Sequence, residues 1–242
     1  MVEPTAATVL QRVAAAPDVV TVAPSRATTD HAHPEHPGDP AHPGHPAHVW
    51  YVSYGSNLLR ERFEVYLLGG RVPGLDREYP GGTGTSRATG ERAVLLPGVL
   101  RLALDAPSWG GGGVAFWDPT GPGPGVLARA WRVRREQFLE VVHLENGGTD
   151  RRGAPWPVQV LRTGTADVGD GWYRRLLSPG SLDGEPLLTF THPDAGTLAT
   201  RAPSPAYRSV VARGLVETFA APGRGALGPT DAQAYLADAL AS

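Results

Sequence analysis

The chain has 242 residues, with 22 arginines, 24 acidic residues, no lysine, no cysteine and a net charge of -2. That length holds one good-sized core, or one domain with a disordered arm. The balanced charge gives no sign of nucleic-acid or anionic-membrane binding, and the missing cysteines exclude disulfides, thiolate metal sites and a cysteine nucleophile.

The opening residues, MVEPTAATVLQRVAAAP, carry neither a basic run nor a long apolar run, so no signal peptide is expected. No stretch approaches the roughly 20 apolar residues of a transmembrane helix, and a soluble cytoplasmic protein is the expectation. Residues 5–16 predict a short amphipathic helix with Val9, Leu10 and Val13 on one face. The Pro/His/Gly-rich stretch 23–47 has almost nothing to bury and predicts a disordered linker. Six of the eight histidines lie in or beside it: His31, His33, His36, His42, His45 and His48. Such a tract binds Ni or Zn weakly, but compositional drift in a solvated tail is the simpler reading. Residues 1–48 are therefore expected to be an N-terminal extension, and 49–242 a globular domain.

VWYVSY (49–54) predicts a buried strand, followed by a helix from Ser56 to Gly69-Gly70. Residues 71–92 predict a long loop. Strand-like runs follow at 93–104, 113–119 and 126–133, and RREQFLEVVHLENG (134–147) predicts a helix with Phe138, Val141, Val142 and Leu144 on its apolar side. WPVQVLRTG, WYRRLLS and PLLTFTH are later strand candidates. Helices are predicted over 204–219, with Ser204 as N-cap and Pro205 at the first helical position, and over 229–241, capped by Thr230. No internal repeat is present. Short strands in runs argue for an α+β barrel or mixed sheet with packed helices rather than a doubly wound fold.

Three places carry chemistry. After the first strand, Tyr54 is followed by Gly55-Ser56-Asn57. Gly55 permits a backbone conformation closed to other residues, and small polar neighbours leave N–H groups accessible, which makes a concavity suited to a carboxylate or phosphate. Alone, this is common turn material. Glu145 is the carboxylate at the end of an apolar helical run; partly buried, it can act as general base, although solvated helix ends are the commoner case. His143, two residues away, points to another face. Trp109 followed by four glycines implies close backbone approach, with packing the simpler cause.

Taken in order, four blocks change this picture: Tyr54-Gly55-Ser56-Asn57-Leu58, Trp109 to Phe116, Val126 to Gly147, and Pro203-Ser204-Pro205-Ala206-Tyr207. Together they resemble the γ-glutamylcyclotransferase family, also called the AIG2-like or butirosin-G-like superfamily, over about 49–220. The resemblance implies a mixed β-barrel or sheet with packed helices, and an enzyme without metal or cofactor acting on a small γ-glutamyl compound. It implies that the amides of Gly55, Ser56, Asn57 and Leu58 hold the substrate α-carboxylate beside Tyr54, that Glu145 is the catalytic acid/base, and that Tyr207 lines the pocket.

The reaction so implied is attack of the substrate's α-amine on its own γ-carbonyl, releasing 5-oxoproline and a free amine. Intramolecularity of this kind is worth roughly 7–11 kcal/mol of barrier. Departures from the family pattern are Phe190 where a second pocket tyrosine aligns, Asn146 extending the glutamate turn, and the 71–92 loop. Two other readings stand beside it: an inactive member of the same fold that binds a small ligand or protein, and a zinc amidohydrolase or deacetylase. The latter needs core ligands, and outside the arm only His143 and His192 remain. Metal handling by the histidine-rich arm is a third.

Overall fold

The computed structural model describes residues 4–23, 38–39, 42–72, 78–149, 156–157 and 159–240. The chain opens with α1 (Ala6–Ala14), β1 (Val19–Thr21), β2 (Gly38–Asp39), β3 (His42–Pro46) and β4 (His48–Ser53). Then come α2 (Arg60–Leu68), β5 (Gly70–Arg71), β6 (Glu78–Tyr79), β7 (Gly90–Leu96), β8 (Val99–Ala103), β9 (Val114–Asp118) and β10 (Val126–Arg134). The last part holds α3 (Arg135–Glu145), α4 (Val160–Thr163), β11 (Thr165–Asp167), β12 (Arg175–Leu182), β13 (Glu185–Thr191), α5 (Pro205–Phe219) and α6 (Pro229–Asp238).

Seven strands form one sheet in the order β1-β7-β10-β4-β13-β12-β11. β1 runs parallel to β7 and β13 parallel to β4; the other neighbours are antiparallel. β1 and β11 do not pair with each other, so the sheet is mixed and open. The expected α+β class with packed helices holds, without barrel closure. β4 lies at the centre, and its alternation sends side chains to opposite faces. Val49 and Tyr51 join one core with Phe63 and Tyr66 of α2 and Phe138 and Val142 of α3. Trp50, Val52 and Tyr54 join the other, with Phe116 of β9 and Val211 and Leu215 of α5. Burial of each large apolar side chain contributes about 1.5–3 kcal/mol, so β4 is anchored from both sides.

α1 follows its predicted face: Val9, Leu10 and Val13 are buried, and Thr5 caps the helix by accepting the Thr8 N–H. That face enters the same core as α5 and α6, and Arg12 pairs with Asp231 at 2.7 Å. Most of the predicted linker lies outside the described residues; inside it, β2 pairs with β3.

Three sequence expectations are corrected. Among its described residues WPVQVLRTG forms no strand: residues 160–163 are the short helix α4, where the Val160 N–H reaches the Pro157 carbonyl. α6 is preceded by Gly228 rather than capped by Thr230, and Asp231 accepts the Gly228 N–H at 2.8 Å. The 71–92 segment is not all loop, because β5 and β6 pair and β7 begins at Gly90.

Candidate functional site

β4, the strand predicted over 49–54, ends at Ser53, close to where expected. Ser56–Leu58 turns as a single helical turn between β4 and α2, with the Leu58 N–H on the Gly55 carbonyl at 3.0 Å. Gly55 departs from the sequence reading in its reason. Its φ is -120°, outside the left-handed region. Space is what demands glycine: a Cβ there would stand 2.9 Å from the Tyr207 hydroxyl and 3.2 Å from Ala115 Cβ.

Tyr207 reaches that point from α5. Ser204 caps α5 by accepting the Tyr207 N–H at 3.2 Å, and Pro205 follows at the first helical position. The segment before the cap is tied to the glycine run, with the Gly113 N–H on the Ala202 carbonyl at 2.9 Å. Close backbone packing is thus what Gly112 and Gly113 serve, against residues 201–204, whereas Gly110 and Gly111 have room for a Cβ and take positive φ. The Tyr207 ring meets Trp109 edge to face at 5.0 Å between centroids. Its hydroxyl accepts the Ala115 N–H at 2.9 Å. Of the four amides expected to hold a carboxylate, Leu58 is engaged inside the protein, on the Gly55 carbonyl.

Glu145 comes from the last turn of α3. Phe138, Val141, Val142 and Leu144 bury the helix, and Gly147, at φ +89°, ends it one turn-residue beyond Asn146. Asn146 does more than lengthen the turn: its Oδ1 accepts the Tyr173 N–H at 2.9 Å, and its Nδ2 donates to the Val142 and Tyr173 carbonyls. The Glu145 carboxylate is half-buried and faces the 54–57 turn. Asn57 Nδ2 donates to Glu145 Oε1 at 2.8 Å and to the Tyr51 hydroxyl at 3.1 Å. Tyr66 and Glu145 line one cavity. Asn57 is itself fixed, since Trp131 Nε1 donates to its carbonyl at 2.9 Å. Its Oδ1 is buried with no partner.

These groups share one cavity. Its walls include Tyr54, Gly55, Ser56, Asn57, Glu145 and Tyr207, all named from sequence; Leu58 instead packs fully buried beneath the turn. Tyr54 acts as a strut, because its hydroxyl donates to the Phe190 carbonyl at 2.6 Å. Phe190 lines the cavity and stacks on Tyr51 at 5.2 Å. The hydroxyl that Phe190 lacks has neighbours in Tyr51 and Tyr173, which sequence reading missed; Tyr173 donates to the Ala115 carbonyl at 3.0 Å. Burial pushes the hydroxyls of Tyr51, Tyr66 and Tyr173 well above the ordinary phenol range, and the facing Glu145 charge pushes the same way. They remain neutral hydrogen-bonding groups at physiological pH.

Arg62, Tyr66 and Tyr79 were also missed. Arg62 of α2 lies under the cavity with its Nη2 donating to Tyr66 and Tyr79. A spacing of four placed Arg62 and Tyr66 on one helix face, and that was the only signal. Among the described residues, no three His, Cys, Asp or Glu side chains group as metal ligands, and no helix is long and apolar enough to cross a membrane.

No protein-family model matches the chain. Among curated proteins, Histone deacetylase 5 of Arabidopsis thaliana is 29% identical over 211 residues, covering 79% of this chain. The chain spans 30% of that protein's length. Among solved structures, a gamma-glutamyl cyclotransferase superposes with a TM-score of 0.41 at 17% identity, covering 71% of this chain and 80% of that one. An uncharacterized protein from Homo sapiens gives 0.41 at 16% identity with the same coverage. The functional reading therefore rests on the cavity.

Proposed function

We propose that the chain is a cyclotransferase that releases 5-oxoproline and a free amine from a γ-glutamyl amide. The observation that supports it most directly is the Asn57–Glu145 hydrogen bond at 2.8 Å, which joins the strand-to-helix turn to one carboxylate inside one cavity. Asn57 acts on Glu145 as a donor, which leaves the carboxylate the accepting role that a base needs.

In this reading the substrate α-carboxylate lies against the Gly55 and Asn57 amides. Its α-ammonium lies between Glu145 and the unpartnered Asn57 Oδ1. Glu145 takes one proton from the ammonium. The amine nitrogen then attacks the γ-carbonyl carbon, forming the ring C–N bond as the carbonyl π electrons move to oxygen. Glu145 hands that proton to the leaving nitrogen, the carbonyl re-forms as the bond to it breaks, and the ring nitrogen sheds its second proton to Glu145, which passes it to the departing amine so that the amine leaves as an ammonium. The enzyme supplies no nucleophile of its own, and holding the chain folded does much of the work.

The test is 5-oxoproline release from a panel of γ-glutamyl amino acids and γ-glutamyl amines. Wild type is expected to release it, and Glu145→Gln to be slower by roughly 10²–10⁴-fold with unchanged unfolding behaviour. No release across the panel by folded wild type refutes the proposal.

A further inference from the structure

Among the described residues lining the cavity, Arg62 is the one cation and Glu145 the one anion. Arg62 is 3% exposed. A guanidinium carries five N–H donors and no acceptor. Nη2 uses its two on the hydroxyls of Tyr66 at 2.6 Å and Tyr79 at 3.1 Å. Nε and Nη1, which carry the rest, are buried with no hydrogen-bond partner. Among the described residues no carboxylate, Glu145 included, therefore bonds this cation. The rings of Tyr66, Tyr79 and Trp109 lie beside it, with centroids 4.2, 4.8 and 6.0 Å from Cζ. The rings attract the charge, yet the Nε and Nη1 donors stay unpaired. A buried cation with unpaired donors is costly, so its place in a cavity wall points to an anion that arrives with a ligand.

Position says which anion. The α-carboxylate and α-ammonium of a γ-glutamyl compound share one carbon. In the proposed reaction both stay where the 54–57 turn meets Glu145, a point fixed by the Asn57–Glu145 bond at 2.8 Å. Arg62 stands further along the wall. From Gly55 the contacts run first to the Tyr207 hydroxyl, 2.9 Å from where a Cβ would be. They continue from the Tyr207 ring to Trp109 at 5.0 Å, and from Trp109 to the guanidinium at 6.0 Å. The leaving amine is the part of the substrate that extends away from the forming ring. A carboxylate carried there is the anion that a guanidinium with free donors binds best.

We propose that Arg62 is a substrate-binding, specificity-determining residue: it forms a second anion subsite that receives a carboxylate carried by the leaving amine. This rests on the proposed γ-glutamyl substrate. A leaving amine without a carboxylate fills the cavity and leaves the Nε and Nη1 donors unpaired. A site built around such donors rejects the analogue that lacks the bonding group.

The experiment is isothermal titration calorimetry with two probes that lack the α-amine and so cannot cyclise: N-glutarylglycine, which carries the second carboxylate, and the mono-ethylamide of glutaric acid, which does not. Wild type is expected to bind N-glutarylglycine roughly 10–100-fold more tightly than the ethylamide. Arg62→Met is expected to erase that preference and to leave the ethylamide affinity near that of wild type. Equal binding of the two probes by wild type, or binding of neither, overturns the proposal. So does a preference that survives in Arg62→Met, or an equal loss for both probes, which is what a merely structural Arg62 or one holding the α-carboxylate predicts. Should Arg62→Met fail to fold, Arg62→Gln takes its place with the same expectation, and the wild-type comparison needs no variant. The probes do not react, so absent 5-oxoproline release would refute the proposed reaction without moving this readout, and equal binding would remove the subsite while the reaction stands.

Discussion

The contact between Gly55 and Tyr207 gives a quantitative test of how the site is built. An alanine Cβ at 55 stands 2.9 Å from the Tyr207 hydroxyl, where ordinary contact starts at 3.4 Å. The hydroxyl must retreat by about 0.5 Å, the difference of those two distances. Its bond from the Ala115 N–H, now 2.9 Å, then stretches to about 3.4 Å, past useful hydrogen-bond range. A donor in a buried site loses its acceptor, so Gly55→Ala should cost roughly 1–3 kcal/mol. Tyr207→Phe removes the same acceptor and should cost a similar amount. The double variant should cost little more than Tyr207→Phe alone, because without the hydroxyl the new methyl meets only Ala115. Urea unfolding of wild type, both single variants and the double variant measures the coupling, expected at about 2 kcal/mol. Additivity within about 0.5 kcal/mol would refute the argument, since it would mean that the two residues do not act on one oxygen.

Two further predictions follow from other parts of the structure. Asn57→Ala removes a charge-assisted hydrogen bond from Glu145 and should lower kcat/KM for 5-oxoproline release by roughly 10–100-fold, measured against the best substrate of the panel. Glu91 accepts from Arg60 and Arg129, with Arg224 at 3.5 Å, while Arg129 is 2% exposed and keeps only Glu217 as its other carboxylate. Glu91→Gln should cost about 2 kcal/mol at neutral pH, measured by denaturant unfolding. Burial pulls the Glu91 carboxyl upward, but Arg129, Arg60 and Arg224 hold it below the ordinary range. A depressed folded value stabilises above the unfolded carboxylate value and is lost as pH falls through the folded one. The gap between wild type and variant should therefore close below about pH 4.

The elements that were legible are those with one clear periodicity and one clear stop. β4 read as a strand because five of the six residues 49–54 are apolar or aromatic and a glycine follows. α3 read as a helix because Phe138, Val141, Val142 and Leu144 repeat and Asn146-Gly147 ends it. α5 announced itself by Ser204 and Pro205. The failures are local. Trp156 to Gly164 looks like a strand by composition, yet the Thr163 N–H reaches the Gln159 carbonyl, and short-range bonds decided the outcome. Pro229 occupies the first helical position of α6, which places the cap at Gly228. The same rule located Ser204 correctly, and applying it to Pro229 would have moved the cap away from Thr230.

The site divides along the same line. Tyr54, Gly55, Ser56, Asn57, Glu145 and Tyr207 lie in short, ordered blocks, and the structure brings them to one cavity. Arg62, Tyr66, Tyr79 and Tyr173 belong to no block. α2 shows why they were invisible. Arg62, Phe63, Val65, Tyr66 and Leu67 are all buried, so this helix has no single apolar stripe to read. A helix covered on several sides carries polar groups only where something other than water meets them. Here Arg62 meets two tyrosine hydroxyls and lies over the rings that carry them. An arginine in a helix with a weak amphipathic pattern is easily read as a solvated surface residue; burial among aromatic rings turns that inference around.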